Sequence, residues 1–230
     1  MTTVAIIPAR QGSKGIVGKN LTILNGKPLV QYSIEAAMQA HSIDIVVLTT
    51  DWPDVSKLGK KLGVEYIRDR PKSLSSDTAT MVETVDDVLQ WLQDAHKLTT
   101  DVIVLLQPTS PLRTAIDVDN SMEKLSHEFD SVVAVNKVQE HPYECIEITS
   151  DDQWCYLAEP KTQLTRRQDY DGDFYFINGA IYVVKTSVFM EVHHFLTKRS
   201  FFYCMPKNRS VDIDYHDDLD FAAYLLANEK

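Results

Sequence analysis

No stretch of the chain holds about 18 consecutive apolar residues, so the sequence predicts no membrane-spanning helix. The start, MTTVAIIPARQGSKG, lacks the basic segment and long apolar stretch of a secretory signal, and the expectation is a cytoplasmic protein. Cysteine is scarce. Cys145, Cys155 and Cys204 form an odd set with no CxxC pair, which argues for reduced structural thiols rather than a disulfide framework. The histidines show no HxxxH or HxH spacing, and the adjacent His193 and His194 would diverge on a helix instead of sharing a metal. Acid is missing from the beginning: no Asp or Glu precedes Glu35, whereas Arg10, Lys14, Lys19 and Lys27 all do.

What is present sharpens that asymmetry. The chain of 230 residues carries 23 Lys and Arg against 33 Asp and Glu, a net charge of −10. An overall field of that sign excludes nucleic acid as the expected partner. A basic, Gly-rich beginning on an acidic body points to an anionic small molecule; the alternative is chance clustering in a surface loop. A hydrophobic content of 44% with 24% charged residues is that of a soluble globular chain able to bury a core.

Apolar runs alternate with segments of helical period. Val4–Ile7, Ile45–Leu48, Val64–Ile67, Val102–Leu106 and Ser131–Val135 read as buried strands. Pro28–Ala40, a segment opened by Asp51 as N-cap and stopped by Gly63, a long helix from Asp77 or Thr78 through Trp91, and Ile116–Phe129 read as helices. Continuous rather than alternating apolar strands predict an α/β fold, Rossmann-like, with a mostly parallel sheet and helices on both faces. The expectation is a single domain over 1–230. Residues 137–176 break the rhythm and read as a small insertion with short strands, a dimerisation flap. The pattern resumes at Ala180–Val184, Val211–Asp214 is strand-like, and a helix closes the chain from about Asp217. In such sheets ligands sit at the carboxyl ends of the strands. That singles out the loops Ala9–Asn20 and Gln107–Arg113.

Pro8–Asn20 carries Gly12, Gly15 and Gly18 among Arg10, Lys14 and Lys19. Glycines let backbone N–H groups turn toward a phosphate, and the bases neutralise a polyphosphate. The loop is not a Walker A motif, which needs Gly where Ser13 stands and Ser or Thr where Asn20 stands, and its glycines run GxxGxxG rather than GxGxxG. The alternative is a Gly-rich surface turn with solvated lysines.

AIIPAR-x-GSKGI-x-GKNL resembles the opening signature of the CMP–sialic acid synthetases, cytidylyltransferases that activate nonulosonic acids. LSSDTAT (Leu74–Thr80), LLQPTSPLRTAID (Leu105–Asp117), EHP (Glu140–Pro142), RRQD (Arg166–Asp169), NGAIY (Asn178–Tyr182) and DIDxxxDL (Asp212–Leu219) are similar to that family's segments in the same order. The resemblance implies transfer of CMP from CTP to the anomeric 2-hydroxyl of a nine-carbon 2-keto-3-deoxy sugar acid, with Mg²⁺ as cofactor and a homodimer as the assembly. Arg10, Lys14 and Lys19 then supply charge for the reaction. Gly12, Ser13, Asn20, Arg70, Asp77 and Thr80 fall at nucleotide-side positions.

Asp212 and Asp214 match the family's metal aspartates; at i and i+2 on a strand they would share a face about 7 Å apart, enough for one Mg²⁺. Asp214 is also a candidate for accepting the sugar hydroxyl's proton. The alternative is an acidic turn that caps the last helix. Gln107 and Ser110 fall on the sugar side, where an amide suits a glycerol or N-acyl group, though Pro108 and Pro111 alone would make an ordinary turn there. Arg113 either caps its loop or reads a carboxylate. Arg166 and Arg167 are candidates for gripping the sugar's carboxylate, with Arg167 aligned to the family's arginine before Gln; the alternative is an exposed basic pair. Tyr182 and Phe195 match aromatic sugar contacts, or are core. Glu144, Phe176, Val17 and Gln11 depart from the family pattern. The first two fall in the sugar-reading part and leave room for a related acid such as legionaminate; a Kdo-type cytidylyltransferase is a separate alternative, against which RRQD and NGAIY argue. An inactive nucleotide-binding regulator is the alternative outside enzymes; the presence of both aspartates and the basic loop argues against it.

Overall fold

The computed structural model describes residues 1–13, 15–149, 153–158 and 172–228. Lys14, Arg166, Arg167 and Asp169 therefore lie outside the described residues. The fold is built on a seven-stranded sheet. Its core strands are β1 (Thr3–Pro8), β4 (Ile45–Thr50), β5 (Tyr66–Asp69) and β6 (Val102–Leu105), all parallel. Every residue of β1 and β6 is buried, as their unbroken apolar sequences require for strands covered on two faces. β7 (Ser131–Lys137) and β11 (Ser200–Cys204) pair in parallel on the far side. β10 (Tyr175–Lys185) runs antiparallel between β6 and β7, so the order is β11-β7-β10-β6-β1-β4-β5. Among the described residues two small ribbons complete the strands: β2 (Ile23–Leu24) with β3 (Lys27–Pro28), and β8 (Ile146–Ile148) with β9 (Trp154–Tyr156).

Alternate residues of each strand feed two cores. On one face Ala5, Ile7, Leu48 and Val104 meet Val30 and Ile34 of α1 (Leu29–Gln39), Val55 of α2 (Pro53–Leu62) and Val118 of α4 (Ala115–Met122). On the other face Val4, Ile6, Ile103 and Leu105 meet Val85, Val88 and Leu92 of α3 (Met81–His96) and Phe189 of α5 (Thr186–Val192). A third cluster seats α6 (His216–Ala227) through Ala222 against Leu24, Leu29 and Ile213. The mostly parallel sheet with helices on both faces is as expected.

Several boundaries differ from the sequence reading. Asp51 does not cap α2, which starts after Trp52; its carboxylate instead accepts a bond from the Gln11 N–H at 2.8 Å. The helix expected from Asp77 or Thr78 starts at Met81, because Thr80 and Glu83 close a reciprocal capping box. α4 stops at Met122 instead of reaching Phe129. Val211–Asp214 is irregular chain rather than strand, and the last strand is β11, whose SFFYC is only half-buried at the sheet edge. Within 137–176 the described residues include the β8–β9 ribbon and the first residues of β10.

The register of the sheet positions the site. β1 leads on to β4 on one side while its neighbour β6 leads on to β7 on the other, so the two connections diverge and open a crevice between them. Ile6 stands beside Leu105, which brings the loop after β1 next to the loop after β6.

Candidate functional site

The loop after β1 is tied down at several points by side chains that arrive from distant elements. Thr50 Oγ1 donates to Ala9 O at 2.6 Å, and Asn20 Nδ2 donates to Arg10 O at 2.8 Å. Arg10 reaches Asp77 at 2.9 Å and Ser75 O at 3.4 Å. Lys19 is 7% exposed, and its ammonium donates to Ile213 O at 2.6 Å and to Asp214 Oδ1 at 2.9 Å. Gly15 lies so close to the Asp214 carbonyl that any Cβ there would overlap it. Gly18 holds a left-handed φ of 69° with the Trp52 ring packed beside it.

Arg10, Gly12, Ser13, Gly15, Lys19, Asn20 and Arg70 line one cavity of about 430 Å³, closed on the other side by Gln107, Thr109, Asp214 and Tyr215. Arg70 is buried, with Nη2 donating to Thr84 Oγ1 at 2.8 Å and Nε left without a partner. Burial pushes its guanidinium down to about 10, Asp51 opposes that, and Arg10 adds to it. A buried cation with an unspent donor on the wall of a cavity favours an anion there. Asp77 and Thr80 do not line this cavity. The first pairs with Arg10 and the second caps α3, so they support it from outside.

A second cavity, of about 280 Å³, adjoins the first. It is lined by Leu105, Ile177, Tyr182, Phe195 and Leu196, with Gln107 and His194 as its polar members. Two of the sequence candidates, Tyr182 and Phe195, meet here with ring centroids 5.5 Å apart. Burial first, and the nearby charge of Asp212 second, raise the Tyr182 hydroxyl. β10 slips in register between Ile177 and Tyr182, where residues 178–181 are buried and Gly179 turns with φ 73°. A Cβ on Gly179 would stand 3.1 Å from Gln107 Oε1. Ser110 is fully buried, with its hydroxyl 3.4 Å from Asn178 O, and lines neither cavity. Arg113 fastens its loop. It donates to Ala180 O at 2.8 Å, Gln107 O at 3.3 Å and Ser33 Oγ at 2.6 Å, and burial pushes it down to about 9 against the pull of Asp117.

The two aspartates of DIDxxxDL differ more than a strand would have made them. Asp212 is partly buried: desolvation raises its carboxyl, a hydrogen bond with Thr109 opposes that, and the charge of Asp214 raises it further. Its Oδ1 is buried with no hydrogen-bond partner. Asp214 has a side chain 63% exposed, and its backbone is held by Asp218, whose Oδ2 accepts from the N–H groups of Asp214 and Tyr215 at 2.9 and 2.8 Å. An unbonded buried carboxylate oxygen beside a second carboxylate suits a hard cation with oxygen ligands. Among the described residues no cluster of three or more His, Cys, Asp or Glu surrounds a point, so such a cation would keep much of its water.

Met81, Thr109, Tyr215 and Gly179 belong to the site and were not singled out from sequence. Only Gly179 carried a signal, in its Asn-Gly turn. Met81 and Thr109 have ordinary side chains that topology alone brings to the crevice.

The sequence profile of the cytidylyltransferase family matches residues 4–223. An N-acylneuraminate cytidylyltransferase of Streptococcus agalactiae is 33% identical over 95% of this chain and 52% of its own length. The chain thus spans about half the length of the first relatives it matches. A pseudaminic acid cytidylyltransferase of Campylobacter jejuni is 30% identical over 98% of this chain and 96% of its own. A CMP-N,N'-diacetyllegionaminic acid synthase of Legionella pneumophila is 31% identical over 93% of this chain and 91% of its own. Among solved structures, a CMP:2-keto-3-deoxy-manno-octonic acid synthetase complexed with CTP superposes with a TM-score of 0.70 over 100% of both chains, at 18% identity.

Proposed function

The chain belongs to the cytidylyltransferase family, and from that premise we propose that it transfers CMP from CTP to the anomeric 2-hydroxyl of a nine-carbon 2-keto-3-deoxy sugar acid and releases pyrophosphate. The observation that carries this reading is the pair of adjoining cavities. One is walled by Arg10, Lys19 and Arg70 and suits a polyphosphate; the other is mostly apolar and suits an acylated sugar. The acceptor oxygen bonds to the α-phosphorus, the bond to the bridging oxygen breaks, and pyrophosphate leaves with the electron pair. Arg10, Lys19 and Arg70, joined by Lys14, neutralise the charge that gathers on the departing oxygens. Asp214, on the wall of the first cavity, takes the hydroxyl proton.

Magnesium belongs to the same reading. Asp212 and Asp214 would hold it, and when bound it supplies charge neutralisation to the phosphates. Lys19 already pairs with Asp214, which keeps that carboxylate oriented before substrates arrive. Arg167 is the proposed partner of the sugar's carboxylate. We also read the protein as a homodimer of the cytoplasm, where CTP is made. Supporting the dimer, Ile148, Trp154 and Leu157 are 68%, 57% and 70% exposed on and beside the β8–β9 ribbon, an apolar patch of the kind that marks interfaces.

The test is direct. The protein is mixed with CTP, Mg²⁺ and, one at a time, N-acetylneuraminate, a legionaminate, a pseudaminate and the eight-carbon octonic acid, and pyrophosphate is measured. Release with a nine-carbon acid is expected; no release with any of them overturns the reading.

A further inference from the structure

The two cavities share two side chains, Gln107 and Met81. In-line transfer requires the acceptor oxygen to come within about 3–3.5 Å of the attacked phosphorus. Side chains that border both ligand spaces flank that point. Gln107 is the polar one and suits a hydrogen bond to the acceptor. Met81 is the dry one, with no strong donor or acceptor.

Met81 is well built for this place. It is the first residue of α3, inside the capping box, in which Thr80 N donates to Glu83 Oε2 at 2.7 Å and Glu83 N to Thr80 Oγ1 at 3.1 Å. Its backbone is therefore anchored while its unbranched thioether adapts to what lies against it. The side chain is partly buried against the Val85, Val88 and Leu92 core. We propose that Met81 is a specificity-determining residue: an apolar divider that seats the acceptor against the nucleotide and keeps water from the α-phosphorus. The inference rests on the transfer reading above.

Water is the competing nucleophile. Its oxygen would bond to the α-phosphorus, the bridging bond would break, pyrophosphate would leave, and a proton would pass to solvent, giving free CMP in place of the CMP-sugar. The experiment measures CMP-sugar, free CMP and pyrophosphate in parallel for the wild type, Met81→Ala, Met81→Gln and Met81→Leu. Met81→Ala opens the seam. It is expected to raise the acceptor KM about tenfold, as loss of a few methylenes from a pocket does, to leave the CTP KM within about twofold, and to raise the share of CTP ending as free CMP. Met81→Gln keeps the length but wets the wall, so free CMP rises there too. Met81→Leu retains wild-type coupling. Alanine and glutamine variants with the wild-type product ratio and acceptor KM would overturn the divider role while leaving the transfer reading standing. A wild-type chain that makes no CMP-sugar from any acid overturns the transfer reading, and this inference with it.

Discussion

At Asp212 the cost of a buried charge can be separated from its use. Its carboxyl is raised by burial, so in the folded protein the ionised form is disfavoured relative to the unfolded chain. Stability is therefore highest below the usual carboxylate range and declines as pH rises through the folded-state value. Asp212→Asn removes that penalty. Thermal melts are expected to show a Tm at pH 7 equal to or above wild type, with the advantage gone near pH 4, while turnover is lost if the residue serves the phosphates. A variant that melts lower at pH 7 would show that Asp212 is held by partners that its orphan Oδ1 gives no sign of. At Gly15 the constraint is steric. The group facing it is backbone, the Asp214 carbonyl, which has no side chain to swing aside. Gly15→Ala should cost about 1–3 kcal/mol in urea denaturation and weaken nucleotide binding, measured by calorimetry with CTP.

At the scale of elements, α4 is tied to the turn before the aspartates through one buried carboxylate. Asp117 is fully buried, accepts from Arg209 Nη2 and Nε at 2.8 and 3.1 Å, and closes the capping box of α4 with Thr114. Burial alone would raise its carboxyl, but Arg209 and Thr114 outweigh that and hold it below the usual value. The pair's contribution is present at neutral pH and fades as pH falls through the folded-state value. Asp117→Ala, which removes two charge-assisted bonds from Arg209 together with the α4 cap, should cost about 2–4 kcal/mol at pH 7. Its deficit against wild type in denaturant melts should shrink as the pH is lowered. How much of the architecture was legible follows from how each element is buried. Strands covered on both faces announce themselves as apolar runs, so β1, β4 and β6 were plain. β11 is half-exposed and mixes Ser, Tyr and Cys with Phe, while the VDID stretch mimics a strand without pairing. Helix starts were misjudged where Thr80 caps from side chain to backbone, because Asp77 and Thr78 offer equally good caps on paper. The basic loop was visible as composition, and the acidic pair only through the family resemblance, since by itself it reads equally as a helix-capping turn. The seam residue Met81 was not, because its role comes from where β6 and α3 meet.

At the scale of the molecule, the acidic surface and the cation-lined crevice share one chain, and an apolar patch remains outside both. Trp154→Ser with Ile148→Ser should shift the protein from dimer toward monomer in light scattering without lowering the Tm of the sheet core, since both side chains are more than half exposed. A wild-type monomer at micromolar concentration would set the dimer aside.

The bonds from Lys19 to Ile213 and Asp214 close a loop of nearly the whole chain, with partners 194 and 195 positions apart. During synthesis Lys19 emerges long before Ile213 and Asp214. The first cavity therefore lacks one wall until residues around 215 leave the ribosome. Under the proposed function, a nucleotide cannot stabilise a shorter chain through that wall, so its binding favours, by mass action on the folded state, only chains that already include Ile213 and Asp214. The same closure makes the site an early reporter of damage: fraying of α6 should register as lost affinity for the proposed nucleotide before the sheet itself melts.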